Sequence, residues 1–581
     1  MSTLWPASGL ASGRLSIVWL CCLILLPLWS VVLFGRGLWT PDEPREADIS
    51  WRMAVQSERA VPTLAGEPFL EKPPLAYWAA AAVENAFPGR DAAMRAPNLL
   101  YAVVAMAAVV LLAFEMAGAI AAWFAGLTSA SFLLALQVSS WLAADAALMA
   151  GVTLALLGFY VGQKSADSRA KLLWYCLMHV GLAWAFLAKG PGGWLVPGLT
   201  VLGYLASERR WRELLRWQMW AGFAIVLGAV GSWIAAVVRS SDGAHALRIL
   251  LWSNVIGRAV ALSAPDASEY AAGHKNWVGK YLVELPYYLL PWTLLFFAAL
   301  RRARLTWRGA DRSQWTFALS ALLLPLLALS LAITARGIYA APLMPAAALL
   351  IGQWAAHGLA QPDAFDRRMM VATGWLVTAL VVVLFAAATV VASADANARE
   401  LWPLAVPGVV ITAATLWLSL RALRRRLWLP GLAAVFAAFV VALLVAAGAL
   451  FPAIDRWQDL AAIARKVDRD IGSRSLALYA PDETTVATLD RVLAGRRRAA
   501  IRARDVTDVE TLLRSKDPPL FLVQLSGRGR GPVSDRLSTV GVKIPAAAES
   551  RDLLELTTCL PLVVKQVYEL PQGRRYALLA P

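Results

Sequence analysis

Long apolar runs recur through the first 450 residues and constrain the fold more than any other feature. Of the 581 residues, 59% are hydrophobic and only 16% are charged. A helix that crosses a bilayer needs about 20 mostly apolar residues, and the runs reach that length. They predict a polytopic α-helical membrane protein with about thirteen crossings. The predicted crossings are residues 15–34, 95–114, 117–140, 145–163, 172–188, 190–207, 217–238, 283–300, 313–332, 338–357, 370–393, 402–420 and 427–450.

Basic residues between the crossings predict the orientation of the chain. The net charge is +16, and much of the excess falls in short loops. Lys and Arg accumulate in cytoplasmic loops of membrane proteins. We therefore expect a multi-pass membrane protein with a cytoplasmic N-terminus, and no nucleic-acid partner. The basic loops assigned to the inner side are 164–171, 209–216, 301–308, 367–368 and 421–426.

After residue 450 the apolar runs end and short strand and helix patterns alternate. We therefore divide the chain into a transmembrane domain (1–450), with interfacial helices in its 35–95 loop, and a small α/β domain on the outer side of the membrane (451–581). Thr507 with Glu510 has the spacing of a capping box that opens a helix. The predicted strands are 476–480, 521–524, 562–570 and 575–580.

The polar loop that follows the first crossing is the predicted functional site. It opens with the acidic and basic residues of PDEPRE (41–46) and closes with Glu71 and Lys72, directly before two prolines. Charges held near hydrocarbon are costly and usually serve function. Asp42 is the expected N-cap of a helix that runs to about Gln56. Residues 75–87 are too short to cross a bilayer and are expected to form a helix at the outer interface.

The predicted topology brings further polar residues to the same outer face. A cluster of cations at the boundary between hydrocarbon and water suits a phosphate carried on a lipid tail, because charge-assisted contacts are strong there. His274 could act as a base, bind a metal or donate a hydrogen bond; no ligand spacing identifies a metal site, whether with Glu71 or elsewhere. The residues that join the loop are Asp145, Lys189 within AKGPGG, Arg258, His274, Arg336 and Tyr339.

Taken in order, these motifs resemble a known family. PDEPREADI (41–49), GEPFLEKPPLAYW (66–78), AKGPGG (188–193) and ARGIYAAPLMP (335–345) are similar to the bacterial membrane glycosyltransferases with the GT-C fold. These belong to the protein O-mannosyltransferase superfamily, and within it the chain resembles the lipid A aminoarabinose transferases most. The resemblance covers the first 345 residues, and the C-terminal domain matches weakly.

The resemblance implies a donor and an acceptor. The donor would be a polyprenyl-phosphate sugar, typically undecaprenyl-linked, and the acceptor would be lipid A or another envelope glycolipid. The protein would lie in the bacterial inner membrane, with the acceptor and the domain 451–581 on the periplasmic side. The resemblance requires no cofactor and leaves a divalent metal open. Glu46 stands where a Tyr is common in the family and Arg336 where a Lys is frequent, which leaves the sugar and the acceptor undetermined.

The resemblance also implies roles for individual residues. Asp42 would be the catalytic carboxylate, with Glu46 as a second candidate for the general base. Lys72, Arg258 and Arg336 would bind the lipid phosphate, and Tyr339 would line the pocket. The remaining predicted substrate-binding residues are Arg45, Glu71, Asp145, Lys189 and His274.

Two other functions remain open on the sequence. A protein O-glycosyltransferase would use the same donor and differ only in its acceptor. A transporter or flippase of an anionic lipid-linked sugar would use the same cations, but it predicts basic residues on both faces and no requirement for Asp42.

Overall fold

Helices make up most of the molecule. The structure is a computed structural model, and it describes residues 9–56, 58–240, 243, 277–332, 336–394, 402–494, 500–525 and 551–581. The α-helices of the bundle and its site loop are Gly9–Phe34, Asp42–Val55, Leu75–Ala86, Ala96–Ser131, Leu133–Ser140, Asp145–Lys164, Ser168–Lys189, Leu195–Ser207, Trp217–Ala221, Phe223–Arg239, Lys280–Tyr288, Thr293–Leu305, Arg312–Ser330, Met344–Gly358, Ala364–Ala394, Trp402–Arg424 and Trp428–Gln458. Short 3-10 helices are Asp91–Arg95, Gly190–Trp194, Trp211–Leu215 and Gly337–Leu343.

The described helices form a multi-pass bundle. Ten are long and apolar enough to cross a membrane, or eleven if the bent pair Lys280–Tyr288 and Thr293–Leu305 is one span. Two of these ten reverse direction, as the next paragraph shows. The predicted multi-pass helical fold is confirmed, while the number of about thirteen crossings stays a prediction.

Two glycines make those reversals. Gly118 has φ 81° within Ala96–Ser131, and a Cβ on Gly126 would meet the side chain of Val110. In a straight helix residues 110 and 126 would lie about 24 Å apart, so the chain must fold back between them. Gly190 has φ 68°, and beyond it the Trp194 indole donates to the Leu182 carbonyl at 2.9 Å. Positive φ favours glycine at both turns.

The basic loops meet one another at one end of the bundle. Lys171 pairs with Glu213 at 2.7 Å, which joins the loops 164–171 and 209–216. Near the N-terminus, Arg14 pairs with Glu115, which follows the second predicted crossing. Further along the chain, Arg302 pairs with Asp366. The polar loop lies at the opposite end, so the described loops separate as the charge pattern predicts. Which end faces the cytoplasm stays a prediction.

The polar loop folds into two short helices joined by a small hairpin. Asp42–Val55 and Leu75–Ala86 pack on each other, and the strands Thr63–Leu64 and Glu67–Pro68 pair between them. The predicted N-cap is wrong: Pro41 occupies that position without a side-chain cap, and Asp42 is the first helical residue. Its carboxylate instead faces two guanidinium groups, described below.

The C-terminal part carries one five-stranded sheet. Its order is Ile501–Ala503, Leu476–Tyr479, Leu520–Leu525, Arg575–Ala580, Val563–Glu569. The first three strands are parallel and the last two are antiparallel to their neighbours. The four predicted strands all form, and a fifth joins them. The helices are Leu460–Ile471, Glu483–Ala494, Val506–Leu513 and Arg551–Cys559.

The predicted capping box in this part is wrong. The side chain of Asp505, not Thr507, caps the helix Val506–Leu513 by accepting from the amide of Asp508 at 2.9 Å. Asp is among the best N-cap residues, and here it lies two positions ahead of the predicted cap.

The sheet and the polar loop share a hydrophobic core. Ile49, Met53 and Tyr77 of the loop belong to the same buried cluster as Leu478 and Leu578 of the sheet. Burying apolar side chains from both parts stabilises their contact. The C-terminal part is therefore held against the predicted site.

Candidate functional site

Glu43 anchors the helix that carries the site. Its side chain is 2% exposed and accepts from Arg95 Nε at 2.8 Å and from Arg36 Nη2 at 3.0 Å. The backbone amides of Trp39 and Leu142 also donate to it, at 2.8 and 2.9 Å. Burial alone would raise the pKa of Glu43, but the two arginines outweigh burial and lower it. A buried carboxylate with this many donors is a structural anchor.

Asp42, the preceding residue, is more open. Its Oδ1 lies 3.7 Å from Arg45 Nη1 and 3.9 Å from Arg336 Nη1, and its side chain is 28% exposed. These separations are too long for hydrogen bonds. The carboxylate therefore lies between two cations at distances that leave its oxygens able to take a proton or a substrate hydrogen bond.

Lys72 lies beside Glu46. Lys72, just before the helix Leu75–Ala86, forms an ion pair with Glu46 on the helix Asp42–Val55. Burial alone would lower the pKa of Lys72, but the carboxylates of Glu46 and Asp145 outweigh it and raise it. The ammonium is therefore charged at neutral pH. The second oxygen of Glu46 is buried with no hydrogen-bond partner in the described part of the chain.

A third acid–base pair comes from the bundle. Asp145, 1% exposed, begins the helix Asp145–Lys164 and pairs with Lys189, which ends the helix Ser168–Lys189. The Lys189 ammonium lies 4.2 Å from the centre of the Tyr339 ring, within cation–π range. Tyr339 follows Arg336 in the same turn, and its amide donates to the Arg336 carbonyl at 2.9 Å.

The C-terminal part supplies a residue that the sequence reasoning missed. Glu483, the first residue of Glu483–Ala494, pairs with Arg45 at 2.8 Å. The same helix reaches the loop twice more, through Thr484 to the Pro41 carbonyl at 3.1 Å and through Asp490 to Arg52 at 2.6 Å. Glu483 thus holds the guanidinium that faces Asp42. No local motif marks it in the sequence.

The structure brings most of the predicted site residues to one end of the bundle. Glu71 is partly buried and close enough to Arg45 to contribute to its electrostatics. Burial alone would lower the pKa of Arg45, but the surrounding carboxylates outweigh burial and raise it. These carboxylates are Glu483, Glu46, Glu71 and Asp42.

Two predicted site residues and the metal question remain. Arg258 and His274 lie outside the described residues. Within the described ranges, no three His, Cys, Asp or Glu side chains are grouped so that they could hold a metal ion.

Comparisons with known proteins agree with this geometry. Residues 71–235 match the dolichyl-phosphate-mannose-protein mannosyltransferase family. An undecaprenyl phosphate-α-4-amino-4-deoxy-L-arabinose arabinosyl transferase of Pseudomonas paraeruginosa is 32% identical over 358 residues, which is 60% of this chain and 62% of the relative. One of the same name from Edwardsiella ictaluri is 29% identical over half of each chain. The chain thus matches less than two thirds of these relatives' length.

Solved structures extend the likeness to nearly the whole chain. The crystal structure of ArnT from Cupriavidus metallidurans bound to undecaprenyl phosphate covers 99% of this chain and 98% of its own, with a TM-score of 0.69 and 19% identity. The apo structure of the same protein gives a TM-score of 0.71 over 97% of this chain. The chain has the ArnT fold. At this identity the likeness establishes the architecture, and it includes the C-terminal sheet.

These findings confirm the resemblance to GT-C membrane glycosyltransferases that the motifs predicted. The 71–235 match begins at Glu71 and Lys72 and includes Asp145 and Lys189. The roles of individual site residues stay predictions.

Proposed function

We propose that this protein is a membrane glycosyltransferase that takes a sugar from an undecaprenyl-phosphate donor. The acceptor is lipid A or another envelope glycolipid on the periplasmic side of the bacterial inner membrane. In this proposal the N-terminus is cytoplasmic, and residues 451–581 form a periplasmic domain.

The observation that carries the proposal is the convergence of three acid–base groups at one end of the bundle. Asp42 with Arg45 and Arg336, Glu46 with Lys72, and Asp145 with Lys189 come from four separate parts of the chain. Four cations grouped at a membrane boundary can bind a phosphate carried on a lipid. The Asp42 carboxylate, which lies between two of them, can contact an incoming acceptor.

The chemistry then divides between these groups. The bond from the anomeric carbon to the donor phosphate oxygen breaks, and a bond from that carbon to an acceptor oxygen forms. Lys72 and Arg336 stabilise the negative charge that develops on the departing polyprenyl phosphate. If the acceptor is a hydroxyl, Asp42 accepts its proton; if it is an ionised phosphate, Asp42 orients it.

A transfer assay tests the proposal. Purified protein in lipid nanodiscs is incubated with an undecaprenyl-phosphate sugar labelled in the sugar and with lipid A. Covalent label on lipid A is the expected result, with the Lys72→Ala variant reduced about 100-fold or more. In a parallel experiment with the protein in sealed vesicles, label that crosses the membrane but stays on the donor would instead make the protein a flippase.

A protein acceptor is the second candidate, and the match of residues 71–235 to the protein mannosyltransferase family favours it. The same assay separates the two acceptors when envelope protein replaces lipid A. Label that enters protein and is resistant to lipid extraction would support this candidate over the first.

A further inference from the structure

A groove lies at the end of the bundle away from the site. It has a volume of about 650 Å³ and lies where the helix Thr293–Leu305 turns toward Arg312–Ser330. Its apolar wall includes Leu300, Leu305 and Leu319. Leu305 is 61% exposed, so this wall opens outward rather than into the core. The groove is open enough to accept a chain from the surrounding lipid.

The position of the groove matches a membrane surface. Arg312–Ser330 has 19 residues and is about 28 Å long, close to the thickness of the hydrocarbon layer. Its far end lies near the Asp42 site, because the Ser330 carbonyl accepts from Gly279 and the nearby Tyr281 hydroxyl donates to the Arg336 carbonyl at 2.9 Å. The groove is therefore about one bilayer away from the site.

The charges on the groove are of one sign. Arg304 and Arg308 line it and are exposed, together with Trp307. Their neighbours Arg301 and Arg302 pair with Asp363 and Asp366. In the described part of the chain, neither Arg304 nor Arg308 forms an ion pair or donates a hydrogen bond. Two free guanidinium groups therefore stand over an apolar wall at the level of the headgroups.

We propose that this groove binds an anionic phospholipid. The phosphate lies between Arg304 and Arg308, the Trp307 ring lies at the interface, and an acyl chain packs along Leu300, Leu305 and Leu319. Arg recognises phosphate through paired donors, and basic pockets between transmembrane helices bind anionic headgroups. Trp is enriched at the membrane–water interface because its ring is amphipathic. The site is separate from sugar transfer and does not depend on the proposed function.

Native mass spectrometry of the full chain in detergent tests this site. Phosphatidylglycerol, phosphatidylcholine and soluble glycerol 3-phosphate are titrated in separate experiments. The wild type is expected to retain phosphatidylglycerol in preference to phosphatidylcholine. The loss of each arginine is expected to lower the retained phosphatidylglycerol about fivefold or more. The double variant Arg304→Ala/Arg308→Ala should therefore show both losses together.

Two controls separate the groove from charge alone. Arg425→Ala/Arg426→Ala removes two exposed arginines from another basic loop at the same end, outside the groove, and is expected to keep the bound lipid. Leu305→Ala keeps both guanidinium groups, removes an exposed side chain that the fold tolerates, and is expected to weaken lipid retention.

Three results would overturn the proposal. One is an equal loss in the two double-arginine variants, which would indicate general surface charge. Another is equal retention of phosphatidylcholine and phosphatidylglycerol by the wild type. The third is binding of glycerol 3-phosphate as strongly as the lipid, which would make the site one for a free anion.

Discussion

Two adjacent carboxylates on one helix have opposite surroundings. Glu43 is 2% exposed and takes hydrogen bonds from two arginines and two backbone amides. Asp42 is 28% exposed and has only longer contacts with Arg45 and Arg336. The same motif thus supplies one carboxylate whose oxygens are fully hydrogen-bonded within the fold and one whose oxygens remain open to a substrate.

The difference predicts a structural role for Glu43 and a chemical role for Asp42. A group whose every lone pair is used within the fold has none left for a substrate, while a partly exposed carboxylate beside cations can still exchange partners. The comparison predicts that removing Glu43 affects stability first and removing Asp42 affects reaction rate first.

The largest effect is expected for Glu43→Gln. Removing this charge leaves Arg36 and Arg95 buried without their carboxylate, which costs about 3–5 kcal/mol of stability. Thermal unfolding in nanodiscs measures it, with Asp42→Asn as the control that is expected to unfold near the wild-type temperature. Similar unfolding temperatures for both variants would contradict the comparison.

The pH dependence of stability gives a second test of the role of Glu43. The pKa of Glu43 is lowered in the fold by Arg95 and Arg36 against the opposing effect of burial. A carboxyl group whose pKa is lower in the folded state than its unfolded value of about 4.3 stabilises the fold at pH values above 4.3. That stabilisation is lost as the pH falls through the lower folded pKa. The wild type should therefore lose stability below about pH 4, and Glu43→Gln should lose less over that range.

Asp42→Asn is expected to reduce sugar transfer about 100-fold or more while the fold is retained. This is the size of effect usual for a general base. Initial rates across pH, compared with those of the parent, measure it. Asp311→Asn is a matched control, because Asp311 is also partly exposed and pairs with His357 at 3.0 Å at the opposite end. A full-rate Asp42→Asn would remove Asp42 from the mechanism.

Glu46→Gln is expected to act on donor binding rather than on rate. Glu46 pairs with Lys72, the proposed phosphate-binding cation, so its removal frees that ammonium for the donor. Both side chains are largely buried, so the Lys72 ammonium left without its carboxylate needs a new anionic partner. We expect the donor phosphate to take that place, with a KM for the donor about fivefold lower or more and kcat unchanged.

A separate kcat and KM measurement distinguishes this from the other role considered for Glu46. A large fall in kcat would identify Glu46 as the general base. Asp145→Asn is the parallel variant, because it frees Lys189 in the same way.

Much of the site could be predicted from the sequence because crossing number decides which loops share a face. Hydropathy placed Asp145, Lys189 and Arg336 at the ends of crossings, and loop charge gave each crossing a direction. The structure brings these residues to the same end as Asp42 and Lys72. A miscount by one crossing would have separated them.

What could not be predicted depends on tertiary contacts. The pairing of Arg52 with Asp490 joins residues 438 positions apart and leaves no periodic signal. The pairing of Arg45 with Glu483 is of the same kind. The N-caps failed for a different reason, because both helices begin earlier than predicted. The helix Asp42–Val55 begins one residue earlier, with Pro41 at its cap and no side-chain bond. Asp505, two residues before Thr507, caps the helix Val506–Leu513.

The smallest effect is expected at Glu483, where the C-terminal sheet domain reaches the site. Glu483→Gln weakens the 2.8 Å pair that holds Arg45 beside Asp42. Because Glu483 acts through Arg45 and does not reach the reacting atoms, kcat should fall only about threefold, with the KM for the donor unchanged. Asp490→Asn on the same helix is the control, since Asp490 pairs with Arg52 rather than with a neighbour of Asp42. If both variants lower kcat equally, the helix acts only by docking the C-terminal part; if only Glu483→Gln does, and Glu483→Asp restores part of the rate, the charge next to Arg45 positions the catalytic carboxylate.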